Sequence, residues 1–131
     1  MIRKQHISEA LRRFLKEKIQ TLLRLEVLLL LHEHQPRGFT APEVATQLGF
    51  EKDTTAHEIG ELEAIGVVVQ SSTDKTKYRY HPLNATLGSV VNQLALAYST
   101  QRVPILSIIL AQHPDRVRLF AEAFRIIRRN D

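Results

Sequence analysis

Apolar residues recur every three or four positions along most of the chain, which is the spacing of amphipathic α-helices. The first such segment follows Ser8, a residue type that favours the helix N-cap. Its apolar stripe consists of Ile7, Leu11, Leu15 and Ile19, with Phe14 beside them. The leucine-rich segment 21–34 predicts the central buried helix, either as a continuation of the first helix or after a break at Thr21. Pro36 and Gly38 predict its end.

Two short helices joined by a tight turn are predicted between Thr40 and Gly66. Thr40 and Glu43 form a T-x-x-E capping box, so the first of these helices begins at Ala41, and Gly49 ends it. The second helix runs from about Lys52 to Gly66. Its predicted buried stripe contains Ala56, Ile59 and Leu62, with Thr55 and Ile65 near it. Its predicted outward face contains Lys52, Asp53, Thr54, His57, Glu58 and Glu61.

The segment 67–81 has the pattern of a β-hairpin: a β-branched run, a polar turn, and then tyrosines that alternate with basic residues. Phe39 and Thr40 are predicted to supply a short strand beside this hairpin. Because strand side chains alternate between faces, Tyr78 and Tyr80 are expected in the core. The opposite face would carry Lys75, Lys77 and Arg79. Two helices followed by a hairpin predict a winged helix-turn-helix.

The residues TAHEIGE and LEAIGVV, which together span 55–68, resemble the end of the recognition helix and the entry to the wing in MarR-like and ArsR-like bacterial regulators. The resemblance covers about residues 21–82. It implies a DNA-binding transcriptional regulator, often a dimer in which each protomer presents one reading helix to the major groove. Such regulators usually carry arginine, serine or asparagine near the positions of His57 and Glu61, and this chain departs from that pattern.

Helices are also predicted after Pro82. The first has one apolar side, formed by Leu83, Leu87, Val90 or Val91, Leu94 and Tyr98. The second, in the segment 103–113, is apolar nearly all round. The third begins at Pro114, and its apolar face consists of Leu119, Phe120, Ala123, Phe124 and Ile127. The predicted fold is therefore mainly α with a small β-hairpin wing, a winged helix-turn-helix with additional N- and C-terminal helices. It divides into an N-terminal amphipathic helix (1–20), a winged-helix domain (21–82) and C-terminal helices (83–131) that form a homodimer or pack on the core.

The amino-acid composition excludes several classes of protein. The chain has 131 residues, of which 44% are hydrophobic, and it lacks cysteine, which excludes disulfides and thiolate metal sites. No apolar run approaches the roughly 18 residues of a membrane helix, and no export signal is recognised, so we expect a cytoplasmic protein without membrane association. Histidines 32 and 34 diverge on one helix, and no catalytic or phosphate-binding motif is found. We expect neither an enzyme, nor a cofactor, nor a metal site.

The net charge of +4 is unevenly distributed, and this leaves two functions open. Residues 41–66 contain six acidic side chains and one basic one, whereas residues 67–82 contain three basic side chains and one acidic one. A regulator of this kind would hold duplex DNA through Thr40, Lys52, Thr54, His57, Lys75, Lys77 and Arg79. The alternative is a winged-helix interaction module that docks a protein partner on the acidic face of the second helix.

Overall fold

The computed structural model describes residues 7–111, in which α-helices surround a small three-stranded antiparallel sheet. In chain order the elements are α1 (Glu9–Phe14), a π-helical turn (Leu15–Ile19), α2 (Leu22–Glu33), β1 (Phe39–Thr40), α3 (Ala41–Leu48), α4 (Lys52–Ile65), β2 (Val68–Gln70), β3 (Lys77–Tyr80), α5 (Ala85–Thr100) and α6 (Arg102–Leu110). None of these helices is both long and apolar enough to cross a lipid bilayer. The helix predicted from Pro114 lies outside the described residues.

The N-terminal helix ends before Thr21, and α2 begins after it, so α2 is a separate helix and not a continuation of the first one. Ser8 Oγ accepts from the backbone N–H of Leu11 at 3.1 Å, so Ser8 caps α1 as predicted. Gln20 adopts a left-handed conformation with φ 66° after the π-helical turn. Thr21 then caps α2 because its Oγ1 accepts from the backbone N–H of Arg24 at 3.1 Å. The next helix ends at Glu33, earlier than the predicted stop at Pro36.

The two short helices have the predicted bounds. Both hydrogen bonds of the capping box are present: Thr40 Oγ1 accepts from the Glu43 N–H at 3.2 Å, and Glu43 Oε1 accepts from the Thr40 N–H at 2.8 Å. Gly49 and Gly66 follow α3 and α4 with φ of 75° and 101°. Residues with a Cβ adopt these values at a cost, which explains why glycine ends both helices.

A continuous hydrophobic core joins all the helices and the inner face of the sheet. The predicted stripe of α1 and the π-helical turn is buried in it, so this stripe packs on its own chain. Full burial of a leucine or isoleucine side chain contributes about 1.5–3 kcal/mol. Fully buried members from each part of the chain include Leu15, Ile19, Leu25, Leu31, Phe39, Ile59, Leu62, Leu94 and Ile105.

Two predicted core positions are wrong. Ala56 is exposed because the buried side of α4 is centred on Thr55, Ile59 and Leu62, which turns Ala56 toward solvent. Leu83 precedes α5 rather than lying within it, and 74% of its surface is exposed.

Candidate nucleic-acid interface

The outer face of the sheet brings three of the predicted DNA-binding residues together. The strand order is β1-β3-β2, with Thr40 paired to Lys77 and Val69 paired to Arg79. Paired residues project from the same face of a sheet, and alternate residues of one strand share a face. Thr40, Lys77 and Arg79 therefore lie on one face, while Tyr80 on the other face is buried, as predicted.

Lys75 belongs to the turn before β3 and not to the strand. The turn is held by Asp74, whose Oδ1 accepts from the Thr76 N–H at 3.0 Å and from the Thr76 hydroxyl at 2.6 Å. These two hydrogen bonds, together with the charge of Lys77, lower the pKa of Asp74. The Lys75 carbonyl accepts from Gln70 Nε2 at 2.6 Å, which fixes the backbone and leaves the Lys75 side chain exposed.

The charge of Lys77 acts on the carboxylates of Asp74 and Glu43, but the hairpin cations form no ion pair in the described part of the chain. No carboxylate of the described residues lies within 4.0 Å of the charged groups of Lys75, Lys77 or Arg79, a set that we call the basic hairpin face. Arg79 Nη1 lies 3.4 Å from His81 Nδ1. A Cβ on Gly38 would lie 3.3 Å from the Lys77 Cβ, so the glycine at that position leaves room for the lysine stem beside it.

The N-terminus of α3 opens beside this face. Its first backbone amides are occupied in part by the Thr40 cap, and the Thr40 N–H donates to Glu43. That bond, with smaller contributions from the charges of Lys77 and Arg37, lowers the pKa of Glu43. The Arg37 guanidinium lies 4.4 Å from the centre of the Phe39 ring. Because its charge acts on Glu43, Arg37 is a cation near the start of α3 that is absent from the predicted DNA-binding set.

The predicted outward face of α4 is wrong at Glu58. This side chain is buried, and its Oε1 accepts from Arg24 Nε at 2.7 Å. Arg24 also donates from Nη1 to the Lys18 carbonyl at 2.8 Å, and its Nη2 lies 3.9 Å from Glu61 Oε1. Burying a carboxylate without a partner is costly, so a cation from α2 is what allows Glu58 to face the core. We call Arg24, Glu58 and Glu61 the α4 ion-pair cluster.

The remaining predicted residues of α4 are exposed. Lys52 is its first residue, and the Thr54 hydroxyl donates to Glu51 Oε1 at 2.7 Å. His57 Nε2 lies 3.8 Å from Glu61 Oε2. The same side of α4 exposes the small side chains of Ala56 and Ala64. It also exposes the backbone at Gly60, where an added Cβ would have no neighbour within 4 Å.

The predicted site therefore falls into two groups. Thr40, Lys77 and Arg79 share the sheet, with Lys75 in the adjoining turn, whereas Lys52, Thr54 and His57 lie on α4. Sequence reasoning missed Arg24, for which the signal was a single arginine in a leucine-rich helix, 34 positions before its partner.

The described residues contain no group of three or more histidine, aspartate or glutamate side chains arranged to hold a metal ion. His32 Nε2 lies 2.9 Å from Asn92 Oδ1, and His34 Nδ1 lies 3.0 Å from the Leu30 carbonyl, so the two rings have separate partners. Comparison of the sequence with protein-family models and with curated proteins gives no match.

Proposed function

We propose that residues 21–82 form a winged helix-turn-helix through which this protein binds duplex DNA in the cytoplasm as a transcriptional regulator. The observation that carries the proposal is the basic hairpin face. Lys77 and Arg79 lie side by side on an outer sheet face, Lys75 extends from the adjoining turn, and no carboxylate of residues 7–111 forms an ion pair with them within 4.0 Å. Cations so arranged can follow a phosphate backbone, which supplies most of the affinity of such proteins.

The α4 ion-pair cluster supports the same function by reducing an electrostatic obstacle. Judged from the sequence alone, the acidic residues of α4 would repel the phosphates of DNA. Because Arg24 pairs with Glu58 inside the protein and lies close to Glu61, part of that negative charge is compensated. The exposed polar residues of α4 are then Lys52, Thr54 and His57, with Asp53, Glu61 and Glu63 around them.

The small exposed side chains of α4 indicate weak base discrimination. Specific reading of base edges relies on long side chains such as arginine, asparagine and glutamine, which make paired hydrogen bonds. The exposed side of α4 offers Ala56, Gly60 and Ala64 in the positions between Thr54, His57 and the helix end. We therefore propose that phosphate contacts dominate and that sequence preference is modest.

The test is the salt dependence of binding to a labelled duplex of mixed sequence, measured by fluorescence anisotropy. The variant Lys75→Ala/Lys77→Ala/Arg79→Ala removes the basic hairpin face. Each phosphate contact contributes about 0.9 to the slope of log affinity against log salt, so the variant should lose between about 2 and 3 of that slope. The matched control is Arg13→Ala/Lys16→Ala/Lys18→Ala, which removes three exposed cations from α1 and the π-helical turn.

Equal losses in the two triple variants would mean that net charge alone attracts the DNA, and would refute an interface on the hairpin. Absence of salt-dependent binding by the unmodified protein at low ionic strength would refute DNA binding altogether.

The second candidate function, a protein-interaction module, is favoured by the same small residues on α4. Ala56, Gly60 and Ala64 recur every four positions and would let a partner helix approach closely, while Asp53 and Glu63 offer charges to a basic partner. Glu58 cannot take part because it is buried. The variant that discriminates between the two functions is Gly60→Leu. The leucine side chain would project into open solvent and block a partner helix. The phosphate contacts of the hairpin would remain in place.

A further inference from the structure

The α4 ion-pair cluster ends at a histidine on the surface of the protein. Glu58 Oε1 accepts from Arg24 Nε at 2.7 Å, and Arg24 Nη2 lies 3.9 Å from Glu61 Oε1. The other oxygen of the Glu61 carboxylate, Oε2, lies 3.8 Å from His57 Nε2. The His57 side chain is 66% exposed, so it is the member of this series that solvent and ligands reach. Glu61 therefore lies between an interior cation and a surface imidazole.

The proton on His57 sets the charge of this group of residues. Arg24 carries one positive charge, and Glu58 and Glu61 carry two negative ones, so the α4 ion-pair cluster has a net charge of −1 when all three are ionised. A neutral imidazole leaves that charge unchanged, whereas a protonated imidazole brings the sum to zero. Histidine is the side chain whose charge ordinarily changes between about pH 5 and pH 8. One proton therefore decides whether this part of α4 repels an anion.

The charged groups around His57 are mainly carboxylates of its own helix. Asp53 lies one helical turn before His57, and Glu61 lies one turn after it. The elements packed against α4 are α2, α3 and β2. From α2 Arg24 approaches Glu61, α3 carries Glu43 as its only charged residue, held in the capping box at its start, and β2 carries no charge. A proton on His57 is therefore added between two carboxylates.

We propose that DNA binding by this protein is proton-dependent, and that protonation of His57 is the step that lets α4 approach the phosphates. This inference rests on the proposed function, in which α4 lies beside the duplex. With a neutral His57, the cluster repels phosphates. A protonated His57 compensates Glu61, and both of its ring nitrogens then donate hydrogen bonds, so Nδ1 can donate to a phosphate oxygen. Because binding and protonation favour each other, the affinity rises as the pH falls.

A second histidine near the proposed interface has the opposite surroundings. His81 follows β3, and its Nδ1 lies 3.4 Å from Arg79 Nη1. Protonation of His81 would bring two positive charges together, whereas protonation of His57 brings a positive charge to the carboxylate of Glu61. Both side chains are exposed. The neighbouring charges therefore assign the proton dependence to His57, and His81 serves as the matched comparison.

The test is the affinity for a labelled duplex of mixed sequence, measured by fluorescence anisotropy at about pH 8 and about pH 5.5, where histidine differs in charge. For the unmodified protein at about 50 mM salt, we expect a rise of roughly three- to tenfold at the lower pH, as for one added phosphate contact. His57→Asn should keep the lower affinity at both pH values. His57→Lys, a permanent cation, should show the higher affinity at both. His81→Asn should retain the rise.

The outcomes separate this proposal from the proposed function. Salt-dependent binding with the same affinity at both pH values overturns the proton dependence and leaves DNA binding in place. A rise that persists in His57→Asn, or that disappears in His81→Asn, also overturns it, because another group then takes up the proton. Absence of salt-dependent binding at both pH values refutes the proposed function, and the proton dependence with it.

Discussion

Helix α4 and the basic hairpin face are close in sequence, and they use their charged residues in opposite ways. In α4 a carboxylate is turned inward and held by Arg24, with Nε and Oε1 2.7 Å apart and both side chains only 11% exposed. On the hairpin, three cations lie at the surface without an acidic partner within 4.0 Å among the described residues. The first arrangement fixes a helix in place, and the second leaves its charges available to a ligand.

The net charge of a sequence segment therefore differs from the net charge that the segment exposes at the protein surface. By composition, the segment 41–66 repels phosphates. In the folded chain one of its six carboxylates is buried against a cation from α2, and another lies near the same cation. Substitutions in α4 should therefore act mainly on stability, and substitutions in the hairpin mainly on binding.

The largest expected effect follows from Arg24→Met. The change removes the cation and leaves the Glu58 carboxylate buried without its partner, a situation that typically costs about 3–5 kcal/mol. The Lys18 carbonyl also loses its donor. The free energy of unfolding, measured by guanidinium denaturation, should fall by that amount.

The double variant Arg24→Met/Glu58→Met serves as the control for this prediction. Replacing both members of a buried ion pair by apolar residues of similar volume is often close to neutral. We expect it to recover most of the lost stability. A loss below about 1 kcal/mol in the single variant would show that Glu58 reaches solvent and that the pair does not hold α4.

The Thr40 cap is expected to have an intermediate effect. Thr40→Ala removes the hydroxyl that accepts from the Glu43 N–H, and the loss of such an N-cap destabilises a protein by about 1 kcal/mol. Thr46→Ala, an exposed change in the same helix, should be close to neutral. Equal unfolding free energies for the two variants would contradict a stabilising role for the cap.

The helix bounds could be predicted because their signals are local. The Thr40 and Glu43 cap and the glycines at 49 and 66 act within a few residues of the positions that they define, so no knowledge of the fold was needed. The short strand of Phe39 and Thr40 beside the hairpin was also predicted, from the position of the two segments in the expected fold, whereas the pairing of Phe39 with Tyr78 is seen only in the structure.

One error arose where distant parts of the chain meet, and another arose where the cap of a helix was overlooked. The inward turn of Glu58 depends on Arg24, which the sequence places 34 residues away. Leu83 looked like the first apolar residue of a helix, but Asn84 caps α5 by accepting from the Leu87 N–H at 2.9 Å. The helix therefore begins after Leu83, whose side chain rests beside Gly66. Neither outcome can be read from hydrophobic spacing alone.

The smallest expected effect belongs to Glu61, which lies near Arg24 like Glu58 but is partly exposed to solvent like the hairpin cations. Its side chain is 44% exposed and 3.9 Å from Arg24, so solvent screens this contact and Glu61→Gln should change stability by less than about 0.5 kcal/mol. If α4 lies near phosphates, removing the charge should strengthen binding to duplex DNA roughly twofold at low salt, which corresponds to about 0.4 kcal/mol for a screened charge. Glu9→Gln is the matched control, since Glu9 is also exposed and 3.9 Å from an arginine, Arg13, on α1. A gain in affinity confined to Glu61→Gln would place α4 near the DNA, whereas equal gains would assign both to net charge.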